Sequence, residues 1–134
     1  MARLGLHRGY VVHGSDGLGE LTITGPSSVF AIQHGVVTRI ELSPADFGLE
    51  LQSVEGIQGG NAECNRAIAE TVLNGGRGPA RDIVLMNSAL ALVAASHARN
   101  FLEGVDQAAE SIDTGSAIRK LNGLRELLAQ ERSA

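Results

Sequence analysis

VVHGSDGLGELTITG, residues 11–25, contains the change of pattern on which the fold turns. An apolar run ends at His13 and Gly14, a glycine-punctuated stretch carries Asp16 and Glu20, and an alternating pattern begins at Leu21. YVVH (10–13), bounded by Gly9 and Gly14, has the continuous apolar character of a strand buried on both faces. ELTITG (20–25) alternates instead, with Leu21 and Ile23 on one face. SVFAIQ (28–33) puts Phe30 and Ile32 on one side, and in VVTRIEL (36–42) Val36, Ile40 and Leu42 oppose Arg39 and Glu41. GPSS (25–28) and HG (34–35) are turn sequences, because glycine accepts positive φ and Pro26 presets a turn. The expectation is one buried strand plus an antiparallel three-strand meander, with an acidic turn where the buried strand stops.

Beyond Pro44 the period changes. SPADFGLE (43–50) reads as a turn or a single helical turn, and QGG leads to Asn61, an N-cap with Glu63 in the first helical turn. Cys64, Ala67, Ile68, Thr71 and Val72 then recur at helical spacing until NGGRG (74–78). Pro79 opens a second helix, about 79–98, apolar on most of its circumference and expected to be the most buried element. A third carries Leu102, Val105, Ala109 and Ile112 on one stripe and ends near Gly115; the last carries Ala117, Leu121, Leu124 and Leu128, with Gly123 weakening its middle. The class is therefore α/β: strands first, then a cluster of about four helices, in one domain spanning 1–134.

Composition limits the partners. A net charge of −4 and a pI near 5.5 offer no basic face for nucleic acid or an anionic membrane. The single cysteine, Cys64, forms no internal disulfide, and no signal-like segment opens the chain, so a cytoplasmic setting is expected. Ile83–Ala95, the most apolar stretch, is interrupted by Asn87 and Ser88 and is shorter than the roughly 20 residues a bilayer needs, which marks a core helix. Aromatic residues make up 3% of the chain, too few for a stacking platform. The opening MARLGLHRG, with Leu4 and Leu6, reads as the tail of a helix, and a strand like YVVH calls for parallel neighbours from elsewhere.

VVHGSDGLGELTITGP, LSPADFGL, GGNAECNRAI, GRGPARDIVLMNSALAL and SIDTGSAIRKL, in that order over residues 4–128, resemble the C-terminal part of anthranilate phosphoribosyltransferase, of tryptophan biosynthesis. The resemblance implies transfer of a ribose 5-phosphate unit from phosphoribosyl pyrophosphate (PRPP) to the amino group of anthranilate, with pyrophosphate leaving and Mg2+ assisting. It implies a fold of the nucleoside phosphorylase/phosphoribosyltransferase type, with a small helical domain and a large α/β domain. This sequence falls wholly in the large one. The resemblance also implies that the complete enzyme is a homodimer joined through the helical domain.

The same resemblance points to residues. The family motif V-H-G-x-x-G-L-D-E supplies an adjacent Asp-Glu pair at a strand end; here it reads VHGSDGLGE, so Glu20 matches the glutamate and Gly19 stands in place of the aspartate. Mg2+ is held by one or two carboxylates together with substrate phosphates and water, so Glu20 is the expected metal ligand. Asp16, in the same turn, would add a second carboxylate if the loop folds back. His13 and Gly14 border the substrate cleft by resemblance, although a lone strand-end histidine reads first as structural. The family's G-T-G-G-D loop, its following lysine and its N-P-H segment are absent from the sequence. QGGN (58–61) and NGGRG (74–78) read as helix-end punctuation. The expectation is a C-terminal piece of a longer enzyme, inactive alone and self-associating or partner-dependent. The alternatives are a non-catalytic remnant and a paralogue resembling nucleoside phosphorylases. His7, His34 and His97 have no zinc-ligand spacing, Cys64 reads as a small buried apolar residue, and Arg77 and Arg81 read as solvated.

Overall fold

In the computed structural model the structure describes residue 1, residue 3 and residues 5–131; Leu4 of the expected helix tail lies outside them. One antiparallel sheet is formed by β1 (Arg8–Gly14), β2 (Ser27–Gln33) and β3 (Val36–Leu42), in the order β1-β2-β3. Short 3-10 helices at Pro44–Phe47 and Val54–Ile57 lead to α1 (Ala62–Leu73), α2 (Pro79–Ala94), α3 (Phe101–Asp113) and α4 (Ser116–Glu131). The α/β class and the four helices stand as expected. Two strand assignments change.

First, YVVH is not buried on both faces. It belongs to the antiparallel meander as its edge strand, with Val11 and His13 exposed and Tyr10 and Val12 half-buried. Val12 pairs with Val29, which pairs with Ile40, and this row packs against the core. Phe30 and Ile32 do share a side, but Phe30 lies on the outer face opposite Arg39, whose guanidinium stands 6.0 Å from the ring centroid. The tight turn between β2 and β3 has positive φ at both His34 (50°) and Gly35 (81°), as a two-residue hairpin turn requires.

Second, ELTITG is not a strand. Leu21, Thr22 and Ile23 are all 0% exposed, so the segment has no wet face to alternate toward. Its backbone is satisfied without a ladder: the Leu21 N–H and C=O bond to the Asn87 side chain, the Thr22 N–H donates to Ser27 Oγ, and the Ile23 carbonyl accepts from Gln52 N–H.

The core forms where this segment, the sheet and α2 meet. Leu21, Ile23, Val29, Leu42, Phe47, Met86, Ala89 and Leu90 make one cluster, and Phe47 stacks on Phe101 with centroids 4.6 Å apart. A second cluster joins Val72, Leu85, Ala108 and Ile112 between the helices. Asn61 caps α1 as expected, its side chain accepting from Cys64 N–H at 2.9 Å. Pro79 is in the first turn of α2, which buries more residues than any other helix among the described residues. α2 ends at Ala94 rather than near 98, because Ser96 turns to φ 60° and His97 N–H bonds back to the Leu92 carbonyl. On α3 the buried positions are Gly104, Ala108 and Ile112, while Leu102 is 55% exposed. α4 buries none of its residues, and Leu124, Leu127 and Leu128 are exposed. No helix among the described residues is long and apolar enough to cross a membrane.

Candidate functional site

The turn after β1 is built to hold one shape. Gly14 N–H bonds to the Leu18 carbonyl at 2.9 Å, Gly17 N–H to the Gly14 carbonyl at 3.0 Å, and Ser15 N–H to the Pro26 carbonyl at 3.0 Å. Gly14 is needed for close approach: a Cβ there would lie 2.6 Å from Asp16 Oδ1 and 3.1 Å from the Thr22 side chain.

Asp16 is the hub of this turn. Its Oδ1 accepts from Leu18 N–H at 3.1 Å, and its Oδ2 accepts from the hydroxyl of Thr22 and, at 2.9 Å, from that of Thr24. Burial pulls the carboxyl upward, but the bonds from Thr22, Leu18 N–H and Thr24 more than reverse it and hold Asp16 below its ordinary 3.8. Both of its oxygens are therefore engaged inside the loop.

Glu20 stands differently. It is exposed and takes part in no hydrogen bond or ion pair among the described residues. It lines a cleft of about 490 Å³ with Leu18, Gln58, Asn65, Ile83 and Val84, between the turn, the loop after Ile57, α1 and α2. Asn65 fixes the far wall by bonding both the N–H and the C=O of Gly60, at 2.8 and 3.0 Å, so QGGN serves the start of α1. At Gly19 an added Cβ would meet nothing within 4 Å, so the position has room for a side chain. His13 is exposed on the outer sheet face opposite Ser28, and neither it nor Gly14 lines the cleft.

Among the described residues no cluster of three or more His, Cys, Asp or Glu gathers to hold a metal ion. A single uncommitted carboxylate beside an open cleft still fits Mg2+, which keeps its waters and takes substrate phosphates as its other ligands. In that arrangement Glu20 is the available ligand and Asp16 shapes the turn.

Two readings of single residues are corrected by packing. Arg81 is not solvated: it is 1% exposed, its Nη2 donates to Asp113 Oδ2 at 3.0 Å, and its Nη1 stands 2.8 Å from Oδ1 as an ion pair outside hydrogen-bond geometry. Arg77 does stay exposed, 3.6 Å from the same carboxylate. The Arg81 hydrogen bond holds the Asp113 carboxyl below its usual range. Cys64 is exposed rather than buried, since α1 turns that side outward in its first turn. The residue that sequence reasoning missed is Asn87. The polar pair Asn87-Ser88 interrupting an apolar stretch was its signal, and the Asn87 amide grips the residue that follows Glu20.

Residues 1–118 match the family model described as "Glycosyl transferase family, a/b domain". An anthranilate phosphoribosyltransferase from Solibacter usitatus is 49% identical over 129 residues, which are 96% of this chain and 38% of that protein. The crystal structure of anthranilate phosphoribosyltransferase from Thermus thermophilus superposes with a TM-score of 0.79 at 35% identity, covering 90% of this chain and 35% of that one. The Saccharomyces cerevisiae enzyme in complex with PRPP and Mg superposes with a TM-score of 0.74 at 32% identity, covering 84% and 33%. The chain thus spans between 33% and 38% of the length of these relatives.

Proposed function

The chain belongs to the glycosyl transferase family, a/b domain, and from that premise we propose that it supplies the C-terminal part of an anthranilate phosphoribosyltransferase, with Glu20 as its metal-facing carboxylate. The observation that carries this reading is the uncommitted Glu20 at the edge of the cleft, on a turn whose other acidic residue is consumed internally. The relatives' names supply the reaction class, and the yeast enzyme's complex supplies the ligands, PRPP and Mg.

In such a transfer the bond between C1 of the ribose and the pyrophosphate oxygen breaks. The amino nitrogen of anthranilate bonds to C1 and gives up a proton. Mg2+, when bound, offsets the charge that accumulates on the departing pyrophosphate. This chain's part is to present the Glu20 carboxylate on a turn braced by Asp16, Thr22 and Thr24. Ile68, Ile83 and Val84 line the same cleft as its apolar side. A glycine-rich phosphate loop would have to come from a segment outside these residues, so the 134-residue chain by itself would bind without turning over. Loss of the family aspartate at Gly19 leaves one carboxylate, and hence a weaker metal site than the paired motif would make.

Calorimetric titration with PRPP and Mg2+ tests the reading. Binding that disappears on chelation of Mg2+ and weakens about tenfold in Glu20→Gln is expected; equal affinity for the wild type and Glu20→Gln would refute it.

A further inference from the structure

Exposed Glu20 is followed at once by three fully buried residues, so whatever holds Leu21 determines where the Glu20 carboxylate stands. Leu21 is held by a side chain 66 positions away. Asn87 Oδ1 accepts from Leu21 N–H at 2.9 Å, and Asn87 Nδ2 donates to the Leu21 carbonyl at 3.0 Å, so one amide takes the place of a neighbouring strand.

The amide has one workable orientation. Nδ2 also donates to the carbonyl of Ile83, one turn earlier on α2, at 3.0 Å. Flipping the group would set its oxygen against two carbonyls and its nitrogen against the Leu21 N–H. Asparagine is not a residue that α2 needs for its own sake, because in a helix interior it competes with the backbone and here it sits among apolar neighbours. Both of its anchors concern the site: Ile83 lines the same cleft as Glu20, and Leu21 is the next residue along the chain. On the other side of the turn, Asp16 fixes Leu18, Thr22 and Thr24. Gly19 and Glu20 are left between the two restraints with no hydrogen bond of their own among the described residues.

We infer that Asn87 is a positioning residue for Glu20, setting the carboxylate against the cleft through its two-point grip on Leu21. The inference rests on the reading of Glu20 as the metal-facing carboxylate. It assigns α2 two tasks, forming the apolar wall and orienting the charge beside it.

The test compares Asn87→Asp, Asn87→Leu, Glu20→Gln and, as a control, Val93→Ala in the 134-residue chain. Asn87→Asp keeps the shape but turns a donor into an acceptor facing two carbonyls. Val93 is buried on the same helix and does not line the cleft, so its variant reports general loosening of α2. Two quantities are read: hydrogen exchange in peptides covering 18–24, and affinity for PRPP with Mg2+ by calorimetry. Both Asn87 variants are expected to speed exchange in 18–24 about tenfold or more, and to weaken binding about as much as Glu20→Gln does, whereas Val93→Ala does neither. Exchange in 18–24 no faster than in Val93→Ala would overturn the inference. So would binding that falls in Glu20→Gln but is unchanged in the Asn87 variants, and this result leaves the reading of Glu20 standing. If Glu20→Gln itself binds as the wild type does, the reading of Glu20 fails and the inference fails with it.

Discussion

Replacing Thr22 by valine isolates what the Asp16 hub contributes. The two side chains have nearly the same shape, and Thr22 is 0% exposed, so packing around it is kept while its hydroxyl is lost. That hydroxyl donates to Asp16 Oδ2 and accepts from Thr24 N–H at 3.1 Å. A hydrogen bond to a charged group is worth about 1.5–3 kcal/mol, but Asp16 is exposed, and water recovers part of the loss, leaving about 1 kcal/mol. The Thr24 N–H, half-buried, adds about 1 kcal/mol, and the extra apolar surface of valine returns roughly half of that. The net is about 1.5 kcal/mol. With an unfolding entropy of about 2.1 cal/mol/K per residue over 134 residues, the midpoint should fall by about 5 °C. The sign of the pH dependence follows from Asp16, whose carboxyl is held below 3.8 when folded. Its contribution is therefore present above that value and is lost as pH falls through the folded value. Thermal unfolding followed by circular dichroism at fixed concentration should show the full deficit at neutral pH and a smaller one at a pH below the folded value, where Asp16 binds a proton. A valine variant as stable as the wild type at neutral pH, or an equal deficit at both, would refute the account of the turn.

Gly19→Asp places a side chain in open space and should leave the unfolding midpoint within the scatter of surface substitutions, about 0.5 kcal/mol. A second carboxylate near Glu20 should tighten Mg2+-dependent PRPP binding roughly fivefold to tenfold, measured by calorimetry; no gain would mean the turn does not face the metal. Asp113→Asn should lower the midpoint more than Arg81→Met does, because the first leaves a buried guanidinium without its counterion and the second leaves only an exposed carboxylate; the opposite order would refute that asymmetry. Since the Asp113 carboxyl is held low, the contribution it makes is present at neutral pH and is lost on acidification. Exposed Leu124, Leu127 and Leu128 on α4 and the edge position of β1 favour self-association of the 134-residue chain. Sedimentation velocity at tens of micromolar should show oligomers that the double variant Leu124→Gln/Leu127→Gln reduces, and a monomer in both cases would refute this.

What could be read from the sequence divides along a physical line. Local signals carried the helices: the Asn61 cap, Pro79 in the first turn of α2, and the His34-Gly35 turn each act within a few residues of where they stand. ELTITG misled because period-two alternation reports burial only when one face is wet. Here Thr22 is as buried as Leu21 and Ile23, and its polar groups are met by Ser27 and Asp16. Nothing in six residues announces that a side chain 66 positions away will replace a neighbouring strand. The same holds for Arg81, whose burial depends on Asp113 being 32 positions along and on another helix.

The candidate site follows this division. The family motif points to Glu20, and the structure adds that two threonines and a backbone N–H occupy the carboxylate of Asp16, the other acidic residue of the turn. A carboxylate with three donors around it is held at low energy as a structural anchor, and a metal would have to displace those donors to use it. Glu20 has no such bonds to give up. Of two carboxylates in one turn, the one with the fewer internal partners gives up less to meet a ligand, and under the proposed function, with glycine at position 19, the charge offered there would rest on Glu20.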